Sequence, residues 1–597
     1  MEWEGETDLV YKKFLRRLSK YSAFIIIFFV AILLKLVYFQ VLKGDYFYNL
    51  SEQNCANLYV EQAPRGKIYD CAQNPLCENR PSVTVMFYPF LYKENYKLQA
   101  ELADRAEKIL PGSKSKILSA YKTTKAVQLG KDVSRDIMFK FLEQRINFQG
   151  ISVVTEQRRY YPYGGLASQM IGYIGEISQH ELKYLHLKGY KQGDIIGKIG
   201  LEKQYDTYLR GVNGGWLIET DASGCQTDII KHVLPQPGDD LYLTIDIGLQ
   251  LVAEKALEET GCNGAIVGLD PNDGSVKILV SQPTFDPNSF ISNSEERLKY
   301  MSDKDLPLYN RTIQAQYAPG SVFKIITSLA ALDTKSITPE RKFVCPGYFK
   351  LGRKTFKCWK KEGHGRMCFS EGVRNSCDVY FYNVGLITGI DAIVKYAEKF
   401  ALGKPTGIDL PFEKSGFIPA ASWREKKFGK NWLKGDTVNI SIGQGYLDLT
   451  PLQLASLVSS VANRGKIYKP YIVKKIISPE EKLIYEHEPE KTKEVKLPEN
   501  IWLNLESALV DVVDSGTGQA ARVPGVKIAG KTGTSENPHG KDHAWFVCYM
   551  PVENPRLALA VLVEHGGMGG AVAAPVAGKI LRYIVDRDSK SGTHPIF

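Results

Sequence analysis

Residues 526–534 read VKIAGKTGT, in which an apolar run leads into the tetrapeptide KTGT at Lys531–Thr534. Two other short patterns precede it in the chain, Ser321-Val-Phe-Lys324 and Ser376-Cys-Asp378. Each pattern alone is weak, but the ordered set S-x-x-K, S-x-D, K-T-G supplies a serine and the lysines that can activate it. The sequence therefore predicts an enzyme whose activated serine accepts an acyl group.

The sequence around Ser321 sets it apart from the chance match at Ser113-Lys-Ser-Lys116. Tyr317-Ala-Pro-Gly-Ser321 reads as a turn, and the VFKIITSLAALD that follows has the apolar pattern of a helix. Ser321 and Lys324 are then expected one turn apart on the same face. A lysine can take a proton from serine only when it is neutral. Burial and a second cation both lower a lysine pKa, and Lys531 is the candidate for that cation.

The three patterns are the signature of the penicillin-interacting acyltransferase superfamily. Over nearly its whole length the chain resembles the class B penicillin-binding proteins, and most closely their elongation-type subfamily, penicillin-binding protein 2. Asp378 favours that subfamily, because division-type relatives usually carry asparagine at this place. The other matching segments are Arg65-Gly-Lys-Ile-Tyr-Asp70, Arg159-Tyr-Tyr-Pro-Tyr163, Gly200-Leu-Glu-Lys-Gln-Tyr205 and Ser441-Ile-Gly-Gln-Gly445.

Length and composition agree with this resemblance. A chain of 597 residues with 44% hydrophobic content can bury two or more cores. The formal net charge of +10 is spread along the chain, without a long basic block or aromatic-basic interleaving, so no nucleic-acid partner is expected. A mild positive excess suits work beside anionic lipid and wall polymers, and it equally suits an ordinary solvated surface.

The N-terminal region reads as a membrane anchor. Residues 1–21 contain five basic side chains and are expected to form a cytoplasmic tail. Residues 22–42 are largely apolar and long enough to cross a hydrocarbon core about 30 Å thick as one transmembrane helix. The following Lys43-Gly-Asp-Tyr-Phe offers no small-x-small cleavage site, which favours a retained anchor over a signal peptide. The catalytic domain is then expected on the periplasmic, extracytoplasmic side of the inner (cytoplasmic) membrane.

Residues 43–240 contain no catalytic constellation, and the turn-rich Pro235-Gln-Pro-Gly-Asp-Asp240 marks their end. The resemblance implies that they form a pedestal, a non-catalytic dimerisation-like domain that holds the active site away from the membrane. Residues 241–597 are expected to form the transpeptidase domain. There, GAIVGLD and SVKILVS flank a turn as a hairpin, and three strand-like runs, VKIAGKTGT, AWFVCYM and LALAVLVEH, precede a helix over 572–585. The predicted fold class is α/β of the α+β type, similar to serine β-lactamases, with an antiparallel sheet covered by helices.

The resemblance also implies a role for each residue of the three patterns. Ser321 would attack a D-alanyl-D-alanine stem peptide and release D-alanine, and an amine of a neighbouring stem peptide would resolve the acyl-enzyme. Lys324 would act as the base and Ser376 as a proton relay, while Asp378 would hold lysine or substrate. The substrate carboxylate would be bound by Lys531 with the hydroxyls of Thr532 and Thr534. Gly533 would leave room for the substrate, and the N–H groups of Ser321 and Thr534 would form the oxyanion hole.

A second constellation falls between the first two patterns and within the second: Cys345, Cys358, His364 and Cys377. Thiolates and imidazole are preferred ligands of tetrahedral zinc, although C-x12-C-x5-H-x12-C is not a zinc-finger spacing. The subfamily that the chain resembles carries a metal site in this segment, which predicts a structural zinc, with Cys368 as a spare ligand and no organic cofactor. Unpaired or disulfide-bonded cysteines are the alternative. Cys71 and Cys77 could close a small disulfide loop.

Three functions compete. The first is a peptidoglycan D,D-transpeptidase of cell elongation and a target of β-lactams, which by resemblance works with a SEDS-family (RodA-type) membrane glycan polymerase and elongation scaffold proteins. Its rival in the same class is a division-type transpeptidase, against which Asp378 and the metal segment argue. The second is a penicillin sensor, for which the cytoplasmic tail is too short to carry an output domain. The third is a hydrolase, either a D,D-carboxypeptidase or a β-lactamase, but a β-lactamase needs neither anchor nor pedestal.

Overall fold

The computed structural model describes residues 3–43, 56–92, 95–120, 126–220, 226–538 and 540–591. The chain divides into two compact units that interleave along the sequence. One unit comprises Met1–Ala63, Pro81–Arg158 and Val212–Gln236, and the other comprises Pro64–Arg80, Arg159–Gly211 and Pro237–Phe597. The boundary at residue 240 between a pedestal and a transpeptidase domain stays a prediction.

The first unit begins with the helix Trp3–Val37, which continues as a π-helical turn over Tyr38–Leu42. Its segment Lys20–Val41 is long and apolar enough to cross a membrane, and the apolar side chains described there are exposed. An exposed apolar surface of this length is stable only in an apolar environment. The helix is therefore consistent with the anchor predicted over residues 22–42.

The rest of the first unit contains a small antiparallel sheet, in which Gly214–Thr220 lies between Ala56–Glu61 and Gln226–Val233. It also contains the helices Tyr96–Ile109, Ser113–Ser119 and Arg135–Glu143, the strand Val127–Gly130, and parts of the strands Pro75–Phe87 and Ile151–Tyr160. Phe87, Leu102 and Phe141 belong to the apolar core of these elements and are buried.

The second unit is built on a five-stranded antiparallel sheet. The strand order is Val276–Gln282, Gly264–Leu269, Leu557–Val563, His543–Met550 and Ala529–Ser535. The last of these, which we call the KTGT strand, lies at one edge. The predicted hairpin, the three consecutive strands and the closing helix, Ala573–Ser591, are all present, so the α+β fold class is confirmed.

Helices cover both faces of this sheet, because neighbouring residues of a strand point to opposite sides and the inner strands Gly264–Leu269 and Leu557–Val563 are apolar and buried at every position. Trp545 and Phe546, for example, are both fully buried but belong to different cores. Pro451–Ala462 packs on one face, while Ile247–Glu258 and Ala573–Ser591 pack on the other. The sheet is thereby a rigid, dry support for its edge strand.

The remaining elements surround this core. The other helices of the second unit are Ser168–Ile171, Gln179–Leu185, Gly200–Gln204, Asp206–Leu209, Ser289–Ser292, Ser294–Ser302, Lys324–Asp333, Phe369–Arg374, Asp378–Thr388, Ile390–Lys399, Ala421–Phe428, Lys434–Ser441 and Glu499–Asp514. In a second sheet the strands Leu483–Glu486, Val473–Ile477, Asp240–Leu243 and Ile68–Tyr69 are neighbours. Short pairs are Ile174–Glu176 with Ile195–Gly197, Phe343–Cys345 with Gly365–Met367, Tyr348–Leu351 with Lys354–Lys357, and Lys466–Tyr468 with Lys491–Glu494.

Three of the matching sequence segments meet in one buried ion-pair network. Glu202 Oε2 accepts a hydrogen bond from Arg65 Nη2 at 2.9 Å, and its Oε1 accepts one from Arg159 Nε at 2.7 Å. Arg65 also pairs with Asp206 at 2.7 Å. The buried Cys77 thiol donates to Glu202 at 3.6 Å, and Cys71 is exposed. Both thiols are free, so the disulfide considered for them is absent from the structure.

Candidate active site

The nucleophile turn, Tyr317–Ser321, leads into a 3₁₀ turn over Gly320–Phe323, and the helix Lys324–Asp333 starts directly after it. In a 3₁₀ turn residues three apart lie one above the other, so Ser321 and Lys324 are one turn apart as expected. Gly320 has φ +53°, and a Cβ on it would lie 2.4 Å from the Thr534 carbonyl oxygen. Glycine therefore lets the nucleophile turn touch the KTGT strand. Ser321 is partly exposed.

Lys324 is buried and makes three contacts through its amine. Nζ donates to Asp378 Oδ1 at 2.7 Å, to the Ser376 carbonyl at 2.9 Å and to Ser376 Oγ at 3.4 Å. The ring of Phe381 lies 5.3 Å from Nζ and closes the apolar side. Lys324 of the S-x-x-K pattern thus contacts both Ser376 and Asp378 of the S-x-D pattern directly.

Lys531 approaches the same serine from the KTGT strand. Its Nζ donates to Ser376 Oγ at 2.7 Å and to the Thr532 carbonyl at 3.0 Å. Burial, and then the positive charge of Lys324, lower the pKa of Lys531 well below its ordinary value, although Asp378 opposes the shift. The sequence predicted that the lowered amine pKa would be that of Lys324. The structure has a lowered pKa at Lys531, whose side chain is fully buried and has no ion pair within the described part of the chain.

Ser376 occupies a strained position between two helices. Its φ of +49° lies in the left-handed region, which costs a non-glycine residue about 1 to 3 kcal/mol. Backbone hydrogen bonds from Ser376 N to Val373 O and from Cys377 N to Gly372 O, both 3.0 Å, hold this conformation. The strain aims Oγ between the two lysine amines.

The other KTGT residues lie where the nucleophile turn packs. Thr532 Oγ1 is 2.6 Å from Thr517 Oγ1, and Thr534 is partly exposed. A Cβ on Gly533 would lie 3.0 Å from Val322 Cγ2 and 3.1 Å from the Pro319 carbonyl oxygen. Glycine at this position therefore makes room for the nucleophile turn, in addition to the room for substrate that the sequence suggested.

Several supporting residues could not be recognised from the sequence. Gln444, in the matching segment Ser441–Gly445, donates from Nε2 to the Thr534 carbonyl at 3.2 Å. Trp545 Nε1 donates to the Ala318 carbonyl at 3.2 Å, and Ser535 Oγ donates to the same oxygen. Only the quoted segment around Gln444 gave any signal, because the other residues are distant in sequence and of ordinary types.

A carboxylate fixes the start of the nucleophile turn. Glu564 Oε1 accepts hydrogen bonds from the Tyr317 hydroxyl and from Arg311 Nε, the latter at 3.0 Å. The Tyr317 ring also packs edge-on against His543 and Trp545, with centroids 5.3 and 6.1 Å away. These contacts tie the nucleophile turn to the sheet through Glu564, His543 and Trp545.

The four predicted metal ligands do meet. One ligand atom from each of Cys345, Cys358, His364 and Cys377 lies within 4.8 Å of all the others. His364 Nδ1 is 3.6 Å from the sulfurs of both Cys345 and Cys358, and the buried His364 Nε2 has no hydrogen-bond partner among the described residues. The pKa of Cys358 is lowered, first by a hydrogen bond from Cys377. Cys368 instead caps the helix Phe369–Arg374 and is not part of this group.

Asp378 connects the cysteine–histidine cluster to Lys324. Its Oδ2 accepts a hydrogen bond at 3.0 Å from the backbone N–H of Trp359, which follows Cys358. Its Oδ1 faces Lys324, as described above. Cys377, which precedes it, accepts a hydrogen bond from Tyr380 N at the start of the helix Asp378–Thr388. Displacement of the cluster would therefore move both Ser376 and Asp378.

Comparisons with known proteins agree with this geometry. The family model described as penicillin binding protein transpeptidase domain matches residues 264–582, and that of the penicillin-binding protein dimerisation domain matches residues 60–243. Peptidoglycan D,D-transpeptidase MrdA of Acinetobacter baumannii is 33% identical over 96% of this chain and 88% of its own length.

Solved structures share the fold. PBP2 of Helicobacter pylori, solved in complex with MreC, is 29% identical with a TM-score of 0.77, and the match covers 89% of this chain and 99% of that one. A chain from a peptidoglycan synthase complex that coordinates polymerization and crosslinking is 28% identical with a TM-score of 0.70, over 95% of this chain and 97% of that one.

Proposed function

Because this chain belongs to the class B penicillin-binding proteins and is a serine-type peptidoglycan D,D-transpeptidase of the elongation type, we propose that its acyl-enzyme forms on Ser321. The observation that carries this assignment is the meeting of both lysine amines at Ser376 Oγ, directly beside the turn that presents Ser321. A nucleophilic serine needs a base and a route for its proton, and this arrangement offers both.

The two lysine amines have different surroundings. The lowered pKa of Lys531 favours its neutral form, whereas Lys324 faces the Asp378 carboxylate. A substrate carboxylate that binds next to Lys531 favours the charged form of Lys531. The proton then passes from Lys324 through Ser376 Oγ to Lys531. This transfer leaves Lys324 neutral, as a base must be, at the moment when substrate is present.

Acylation follows from that state. Lys324 Nζ takes the proton of Ser321 as Oγ attacks the carbonyl of the penultimate D-alanine. The peptide bond breaks, and the proton returns through Ser376 to the departing amine of D-alanine. The developing oxyanion would be held by the N–H groups of Ser321 and Thr534, and one such donor is worth about a hundredfold in rate. An amine of a second stem peptide then displaces the serine oxygen.

The test is intact-mass analysis of the full-length protein with and without a penicillin. The wild type should gain the mass of one penicillin, and Ser321→Ala should gain none. Ser113→Ala is the matched control, because Ser113 begins the other S-x-x-K match and is buried in the other unit. An adduct on Ser321→Ala, or its loss in Ser113→Ala, would contradict the assignment.

We propose that Cys345, Cys358, His364 and Cys377 hold a structural zinc ion. The support is chemical: three thiols and an imidazole are a closed tetrahedral donor set, and ligand atoms around zinc at about 2.0 to 2.3 Å lie about 4 Å or less apart. The ion would fix the loop that carries Ser376 and Asp378. A chelator strong enough to remove it should then slow acylation and lower the melting temperature together.

Metal analysis of purified protein tests the proposal. The wild type should contain about one zinc per chain, and Cys358→Ser should lose it. Cys368→Ser is the matched control, because that thiol lies in the same segment outside the cluster. Zinc retained in Cys358→Ser, or lost in Cys368→Ser, would contradict the assigned ligands.

Topology and partners complete the proposal. We infer that the N-terminus is cytoplasmic, that the segment Lys20–Val41 crosses the inner membrane once, and that the catalytic unit is periplasmic. We also infer association with a RodA-type polymerase and a scaffold protein, supported by the complexes in which the similar chains were solved. Co-purification with these two partners, and protease access to the catalytic unit only from the periplasmic side, would be the expected results.

A further inference from the structure

Four aromatic rings form a partly exposed cluster that the reaction described above does not use. Trp423 lies at its centre, with ring centroids 4.9 Å from Phe417, 5.6 Å from Phe428 and 5.1 Å from Tyr446. Phe428 is 45% exposed and Tyr446 is 38% exposed. We call these four residues the aromatic platform. Clustered apolar exposure of this kind marks binding surfaces, unlike single exposed side chains.

The aromatic platform is continuous with the active site through one loop, residues 443–449. Tyr446 belongs to this loop, and Gln444 in the same loop reaches the Thr534 carbonyl of the KTGT strand. Phe417 exchanges two backbone hydrogen bonds with Asp448, at 2.6 and 3.0 Å. One short loop therefore carries both a ring of the platform and a contact to the KTGT strand.

The segment that carries the platform helix, Ala421–Phe428, is strongly basic. Residues 421–436 contain five lysines and arginines but only two acidic residues. Arg424 pairs with Asp436 at 2.6 Å. Lys427 Nζ lies 5.0 Å from the centroid of the Trp423 ring. Three further lysines are exposed and have no ion pair within the described residues: Lys426, Lys430 and Lys434. Ring faces and uncompensated positive charge thus lie side by side.

We propose that the aromatic platform binds the acceptor substrate, the glycan-linked stem peptide whose amine resolves the acyl-enzyme. This inference rests on the proposed function. Carboxylates of the stem peptide match the lysines, and the C–H faces of sugar rings match the aromatic faces. A bound acceptor places its amine near the ester at a high effective concentration. Its nitrogen forms the new amide bond, the ester C–O bond breaks, and the amine proton goes to the Ser321 oxygen.

The experiment compares two acceptors of different reach on the full-length protein. A D-alanyl thioester donor forms the acyl-enzyme, which is then resolved either by free D-alanine or by a disaccharide-peptide that carries a side-chain amine. Free D-alanine lacks the sugar rings and the longer peptide that the platform is proposed to bind. Phe428→Ala and Tyr446→Ala remove single exposed rings, and Lys427→Glu reverses a charge. Tyr184→Ala, at a surface position 70% exposed on another helix, is the control.

Phe428→Ala, Tyr446→Ala and Lys427→Glu should each lower the rate with the disaccharide-peptide about threefold or more and leave the rate with D-alanine unchanged. Tyr184→Ala should match the wild type with both acceptors. Rates in all variants that equal the wild-type rate with both acceptors would overturn the inference. The surface would then be free for an acidic partner protein. An equal loss with both acceptors would also overturn it, since the residues would then act on the reacting centre. If the wild type forms no acyl-enzyme on Ser321, the proposed function fails first, and this inference fails with it.

Discussion

Asp378 joins two parts of the site, because its two carboxylate oxygens have different partners. One oxygen accepts a charged hydrogen bond from Lys324, and the other accepts one from the Trp359 backbone. Both partners are donors, so the position requires an acceptor at each oxygen. An asparagine at this position would offer only one acceptor oxygen. The aspartate is therefore matched to a site in which the cysteine–histidine cluster also has to be held.

Asp378→Asn should slow acylation by a penicillin about tenfold, because either orientation of the amide places an NH₂ group against a donor and a hydrogen bond to a charged group is lost. The second-order rate of acylation by a fluorescent penicillin measures the effect. Asp511→Asn, which removes a carboxylate that accepts from Ser370 away from the two lysines, is the control. Equal rates for Asp378→Asn and the wild type would show that Lys324 does not depend on this carboxylate.

Tyr317 acts on Ser321 only through the nucleophile turn, which makes it a positioning residue. Tyr317→Phe removes the hydroxyl that donates to Glu564 but keeps the ring contacts with His543 and Trp545. The acylation rate at saturating penicillin should fall about threefold to tenfold, while the half-saturating concentration and the melting temperature change little. Tyr309→Phe, whose hydroxyl makes no hydrogen bond within the described residues, should match the wild type. A melting temperature that falls in step with the rate would indicate a purely structural role.

The strands of the sheet could be predicted from the sequence more completely than the side-chain contacts of the site. Consecutive apolar strands and the hairpin at 264–282 could be predicted because each is local and fully buried. The order of the three patterns predicted which side chains would meet, since two lysines and a serine make chemical sense together. The segment around Gln444 was recognised in the sequence, but its contact with Thr534 was not, and the Glu564 contact gave no signal, because both contacts join residues far apart in the chain.

The segments around Arg65, Arg159 and Glu202 were recognised in the sequence as matching the family, but no role was predicted for them. The structure shows what they do. They form a buried network that joins a strand, a loop and a short helix. Buried charge is costly to bring out of water, and it is tolerated only when every partner is present. The three segments therefore act as a single structural unit.

Glu202→Gln should lower the stability of the second unit by about 3 kcal/mol or more, because two buried arginines lose a shared counter-ion. The melting temperature of the full-length protein measures the loss. Glu176→Gln, which removes a charge at an exposed position of the same unit, should have little effect. A melting temperature unchanged by Glu202→Gln would mean that Asp206 alone compensates both arginines.

For the molecule as a whole, Glu254 couples stability to pH. Its half-buried side chain lies where the helix Ile247–Glu258 meets Ala167, and Oε1 accepts from Ala167 N at 2.7 Å and from Gln250 Nε2 at 2.9 Å. Burial raises the pKa of Glu254 to about 7, against an ordinary value of 4.5. The folded state therefore binds more protons than the unfolded state between these two values. The contribution of Glu254 to stability is fully present below about pH 4.5 and is lost as the pH rises through about 7.

Glu254→Gln should remove this dependence, because glutamine keeps the shape and stays neutral. The variant should be more stable than the wild type by up to about 3 kcal/mol near pH 8, and the advantage should vanish towards pH 4.5. Melting temperatures measured from pH 5 to pH 8 give the difference directly. Glu258→Gln removes the same charge at an exposed position of the same helix. A difference between Glu254→Gln and the wild type that stays constant with pH would show that Glu254 is charged throughout, and that solvent reaches it despite its burial.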